Sequence, residues 1–171
     1  MSVSAPYDSR VVANFLLKLA SERGLTLTQL TLYKIVYFSH GWYLTLFSHP
    51  LISHEFEAWP YGPVIHVLRE QFESYGDEPI TKMAERLDIF TGSRSIVAPI
   101  VSGEDARFIT HIFDSYHHYT AWKLSEMTHE PNSPWDRLWN SAEPVGRLAL
   151  RIKNEEIKAY FDRLPTRLNI S

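Results

Sequence analysis

Apolar residues recur along most of this chain at helical spacing, with one interruption near the middle. Val12, Phe15, Leu16 and Leu19 stand at i, i+3, i+4 and i+7, the stripe of a helix with one buried face. Asp8 or Ser9 suits its N-cap and Gly24 its stop. A second helix is predicted from near Thr28 to about Phe47. Leu32, Ile35, Val36, Tyr43 and Leu46 mark one side, and Tyr37, Phe38 and Trp42 spread the apolar arc over most of the circumference. A helix apolar all round sits at the centre of a fold. Gly41 within it costs helix propensity and suits a close crossing.

The helical pattern stops at His49-Pro50. Leu51 to Trp59 reads as extended, with Ile52, Phe56 and Ala58 partly alternating. Pro63 suits the first position of a third helix, carried on by Val64, Val67, Leu68, Gln71 and Phe72 and broken by Gly76 to Pro79. Leu87 to Phe90 and Ser95 to Ile100 fit either short strands or covering loops. Ser102 and Asp105 resemble a capping box, opening a helix with Phe108, Ile109, Ile112, Phe113 and Tyr116. Thr120 caps a helix bearing Trp122 and Leu124. After a loop at 131–134, Trp135, Leu138 and Trp139 begin another. Asn154 caps the last, whose stripe is Ile157, Tyr160, Phe161 and Leu164. The expectation is a mainly α, single-domain compact helical fold over residues 1–171, with a small extended or β segment in the middle.

Composition narrows the function classes. The chain has 171 residues, enough for one domain with a sizeable core. Its net charge of -3 gives no overall basic footprint for nucleic acid. It has no cysteine, which excludes disulfides, a thiolate nucleophile and cysteine-ligated metals. Neither a signal peptide nor a membrane-spanning run is visible, so a cytoplasmic location and no membrane partner are expected.

A search for catalytic patterns finds none. Eight histidines are present, but none forms HExxH or an i, i+4 helical pair. His117 and His118, as neighbours on a helix, diverge by about 100°. GxGxxG, GxxxxGK[ST] and GxSxG are absent. Glu55 and Glu57 share a strand face, which reads as solvated rather than catalytic. Where a recognition helix would read base edges, the helix after Thr28 has Tyr33, Ile35, Val36, Tyr37 and Phe38, and in that stretch only Lys34 fits. The C-terminal basic residues are interleaved with acids. No catalytic residue, metal or cofactor is therefore expected, nor is nucleic-acid binding.

One stretch stands apart. Trp59-Pro60-Tyr61-Gly62-Pro63 packs two prolines, a glycine and two aromatics into five positions. Pro60 restricts Trp59 to extended conformations and Pro63 does the same to Gly62. Gly62 in turn reaches backbone angles closed to other residues. The result is a rigid elbow, in which the aromatics either pin the turn to the core or form a prebuilt contact patch.

Four segments in order resemble the Panacea domain family, which includes SocA-like antitoxins and phage-associated GepA-type proteins. Leu32 to Gly41 is similar to that family's 'LxKLLYFAHG', and Glu57 to Val64 to its 'EAWxYGPV'. Leu124 to Trp135 is similar to 'LSxLTHxxxxPW', and Ile157 to Phe161 to the closing 'IxxYF'. The resemblance covers about residues 9–164, so an appended DNA-binding segment is not expected. It makes Glu57, Ala58, Gly62, Thr128, His129, Pro134 and Trp135 framework residues, and it draws Trp59 towards a structural role as well.

The resemblance implies an antitoxin that neutralises a cognate protein toxin, encoded next door, by direct contact. One SocA-like member instead delivers its toxin to a protease, so a proteolytic adaptor is the alternative. A DNA-binding repressor and a hydrolase using His40 and His129 are readings from other classes. Partner contacts are expected on Tyr33, Tyr37 and Trp42 of the central helix, on Trp59, Tyr61 and Pro63 of the elbow, and on His66 of the helix that follows. A homo-oligomer is compatible with all of these.

Overall fold

The computed structural model describes residues 3–147 and 150–165. Helix α1 (Ser9–Glu22) is capped by Asp8, which accepts from the Arg10 amide, and ends before Gly24 in the left-handed region. Helix α2 (Gln29–Phe47) is capped by Thr28 and is buried along most of its length. It is the axis of the molecule, as the wide apolar arc predicts. The other helices pack round it: α3 (His66–Phe72), α4 (Gly103–Tyr116), α5 (Ala121–Thr128), α6 (Pro134–Ser141) and α7 (Asn154–Phe161). Ser102, Thr120 and Ser133 cap α4, α5 and α6 through their side chains. At Gly41 a side chain would overlap the Phe161 ring, so the α2–α7 crossing depends on that glycine.

The fold is mainly α but carries two antiparallel sheets. Strands β1 (Phe56–Trp59), β2 (Gly62–Val64) and β5 (Leu150–Ile152) form one, in the order β2-β1-β5. Strands β3 (Glu85–Leu87) and β4 (Arg94–Ile96) form a separate hairpin. Pro63, expected at the start of the third helix, instead lies in β2 opposite Ala58, and α3 begins three residues later. Proline has no N–H for a ladder and is confined to edge strands, which is where β2 runs. Glu57 accordingly sits on the central strand, with Arg151 opposite it. β5 has only three residues and leaves too short a pattern to be read without its partner.

Three buried polar ties lock the layers. Asn14 on α1 donates to the carbonyls of Ala84 and Val97 and accepts from the Ala84 amide, pinning the β3–β4 hairpin. Asp105 does not complete the expected capping box. It accepts from the hydroxyls of Tyr7 at 2.5 Å and Tyr43 at 2.9 Å, while the Tyr7 hydroxyl accepts from the Ser102 amide. Asn154 does not cap α7 either. Its Oδ1 lies 2.8 Å from His40 Nε2. Since His40 Nδ1 accepts from the Ile52 amide, the proton sits on Nε2 and is donated to Asn154. In both places a buried partner from another element displaced a local bond. Among the described residues, no helix is long and apolar enough to cross a membrane.

Candidate functional site

The elbow closes β1 and β2 through two loop residues, Pro60 and Tyr61. The ring of Pro60 fixes one backbone angle, and the positive φ of 106° that the turn requires falls on Gly62. A side chain there would also come within 2.8 Å of Lys34 Nζ and overlap Thr128 Oγ1. Only glycine meets both demands.

Three carbonyls of the elbow each receive a donor from a different element. Trp135 Nε1 on α6 donates to Trp59 O at 2.7 Å. Ser125 Oγ on α5 donates to Tyr61 O at 2.6 Å. Lys34 Nζ on α2 donates to Pro63 O at 3.0 Å. The segments 124–135 and 57–64, far apart in the chain, thus form one frame. Thr128 and Ser133 continue it through bonds to Ser125 O and Thr128 O. His129 stacks on Trp135 with ring centroids 3.7 Å apart, and Pro134 occupies the first turn of α6.

Lys34 is fully buried and forms no ion pair among the described residues. Burial lowers its pKa from 10.5 to about 7, because a buried ammonium loses its hydration. This is the residue that the sequence offered as a base reader. In the fold it cannot reach a nucleic acid. Burial, and then the nearby Lys34, hold the His129 imidazole below its ordinary pKa. His40 is lowered to about 4 by burial, against its bond to Asn154. The two histidines of the hydrolase reading are thus not brought together: His40 is engaged by Asn154 and the Ile52 amide, and His129 stacks on Trp135. No group of three or more potential metal ligands gathers among the described residues.

Beside the elbow lies a groove of about 770 Å³. Trp59, Pro60, Tyr61, Val64, Leu30, Tyr33 and Trp122 line it, together with the charged Arg69, Glu73 and Asp77. Tyr61 is 61% exposed on the elbow loop, and Trp122 67% exposed in the first turn of helix α5. Trp59 is half-buried. Its indole N–H donates to Glu57 and the Arg69 guanidinium lies 4.3 Å from its ring centre, so its orientation is fixed.

The structure corrects part of the expected contact set. Tyr37 and Trp42 are core residues. Tyr37 packs edge-on against Phe56 and Phe161, and Trp42 donates to the Tyr116 hydroxyl. Tyr33 is buried too, although it lines the groove, and its hydroxyl bonds to Gln29 and Leu68 O. Pro63 is buried in the edge strand β2. Packed on several sides, the central helix turns Tyr37 and Trp42 into the core and leaves Leu30 and Tyr33 to line the groove. His66 is exposed, placed between Glu57 and Glu70, and does not line the groove. Trp122 was absent from the expected set. It lies two residues from Leu124, about 200° round the helix, while Leu124, Ser125 and Thr128 share the buried side. That phase difference was the available signal.

The family model described as "Antitoxin SocA-like, Panacea domain" matches residues 32–136. The chain is also similar to "Antitoxin SocA" of Caulobacter vibrioides, strain NA1000 / CB15N. The two are 33% identical over 154 residues, covering 90% of this chain and 82% of that protein. No solved structure matches the chain.

Proposed function

This chain belongs to the antitoxin SocA-like Panacea domain family, and on that premise we propose that it is the antitoxin of a toxin–antitoxin pair. It neutralises a cognate protein toxin in the cytoplasm by direct contact, without catalysis. The observation that supports this reading is that exposed Tyr61 and Trp122 line one groove, beside an elbow whose carbonyls accept from buried donors. Rigid aromatics lose little conformational entropy on association, and Trp and Tyr dominate the energetics of protein interfaces. Trp59 adds a third ring, already oriented by Glu57 and Arg69. A toxin segment with an apolar anchor fits against these rings in the groove.

Co-expression with the adjacent gene tests the reading. Growth rescue together with a stable complex on purification is the expected result. Rescue that depends on a protease, with falling toxin levels, moves the chain to the adaptor mode. Rescue with no complex and unchanged toxin rejects direct neutralisation.

A further inference from the structure

Among the described residues, the β3–β4 hairpin is exposed on both faces beyond its root, and one of those faces carries the large apolar side chains. The ladder fixes which face that is. Val97 N donates to Ala84 O and Asp88 N to Ser93 O. Side chains of successive pairs alternate between the two sides of a hairpin. Ala84 and Val97 point inwards and are buried, held through their backbones by Asn14. The pairs Glu85–Ile96 and Leu87–Arg94 therefore share the outer face. Leu87 is exposed there and Ile96 is 60% exposed; beyond them, Ile89 and Phe90, the latter 94% exposed, occupy the tip. Four large apolar side chains on one small projection are far more than scattered surface hydrophobics.

The charges on that face are self-complementary. Glu85 and Arg94 form no ion pair among the described residues, whereas the neighbouring Arg10 and Arg86 both engage Asp8. Glu85 and Arg94 lie on one diagonal of the four-residue patch, and Leu87 and Ile96 on the other. A two-fold axis along the apolar diagonal sets Leu87 on Leu87 and Ile96 on Ile96. It also sets each Glu85 opposite the other copy's Arg94. We propose that the outer face of the β3–β4 hairpin is an isologous contact surface for a second copy of this chain. Residue-for-residue reciprocity of this kind is what a two-fold interface requires. The patch shares no residue with the Tyr61–Trp122 groove, so dimerisation leaves that groove open. A face this small buries less than the roughly 1,200 Å² of stable complexes, so the dimer is weak, with a Kd on the order of 10 µM.

Sedimentation velocity of the chain alone, from about 1 to about 100 µM, spans that Kd and reads the proposal directly. A monomer at the low end and a dimer at the high end are expected. Ile96→Lys should give a monomer throughout, with an unchanged melting temperature to show that it is folded. Arg94→Glu should also abolish the dimer by setting like charges opposite one another, and the double variant Glu85→Arg with Arg94→Glu should restore it. A wild-type monomer at every concentration overturns the proposal, as does a dimer indifferent to Ile96→Lys. If the chain alone stays monomeric and the hairpin amides gain exchange protection only with a co-purified toxin, the face belongs to the toxin.

Discussion

Lys34 Nζ, on the central helix, donates to the carbonyl of Pro63 in an edge strand, from a side chain with no exposed surface. This bond joins the most buried element to the elbow. Without a carboxylate partner, the amine is destabilised as an ammonium, and the fold tolerates it through one carbonyl. Stability should therefore depend on pH near neutrality. Lys34 titrates near 10.5 in an unfolded chain and near 7 in the fold. Between those values the unfolded chain binds more protons, so rising pH favours the native state. Below about 7 both states carry the proton and the gain is absent. Urea midpoints should rise from pH 7 towards 10 in the wild type relative to Lys34→Met, in which this contribution is missing. Parallel curves for the two proteins reject the argument.

His40 supplies the acid limb. Its pKa falls from 6.5 to about 4 on folding. In that interval the unfolded chain takes up the proton first, so stability present above pH 6.5 is lost as pH falls towards 4. At about 1.4 kcal/mol for each pH unit between the two values, the loss reaches about 3 kcal/mol. His40→Gln should flatten that slope relative to the wild type in the same denaturation series.

Gly62→Ala should be far costlier than Gly24→Ala. Both glycines have positive φ, but a side chain at Gly24 meets nothing within 4 Å, whereas at Gly62 it meets Lys34 and Thr128. Gly24→Ala carries only the conformational penalty, about 1 kcal/mol, and Gly62→Ala adds steric displacement, for about 3 kcal/mol or more. Thermal melts of the two variants separate these cases. Equal losses would mean that the elbow relaxes around the methyl.

Tyr61→Ala and Trp122→Ala should leave the melting temperature nearly unchanged, because both rings are exposed. Under the proposed function each weakens toxin binding by about 2 kcal/mol, roughly thirtyfold. Calorimetric titration with purified toxin measures this. Tyr37→Ala should do the reverse, losing about 3 kcal/mol or more of stability through a core cavity. Full toxin affinity in the Tyr61 and Trp122 variants would remove the groove from the interface.

Much of the fold was legible before any coordinates. The 3.6-residue stripes, the helix start near Thr28 and the caps at Asp8, Ser102 and Thr120 follow from local chemistry that each segment carries within itself. Gly41 was likewise legible as a close-approach residue, though not its partner Phe161. Where a side chain had both a local and a distant partner, the local rule failed. Asp105 and Asn154 abandoned capping for Tyr7, Tyr43 and His40, because a buried polar group must be satisfied by whatever packs against it. Pro63 looked like a helix start and proved to be an edge-strand residue, since its pairing with Ala58 lies outside the helical pattern.

The candidate site divides along the same line. The sequence alone determined that the elbow is rigid, because proline and glycine act through their own backbone angles. Only the tertiary structure decided which aromatics face water. Tyr37 and Tyr61 are equally apolar as residue types, yet one lies within a ring of helices and the other on a two-residue loop. Exposure is a property of what the rest of the chain covers, and no local pattern contains it. Trp122 shows the boundary between the two: its phase on α5 pointed away from the core, but only the fold set it in the same groove as Tyr61.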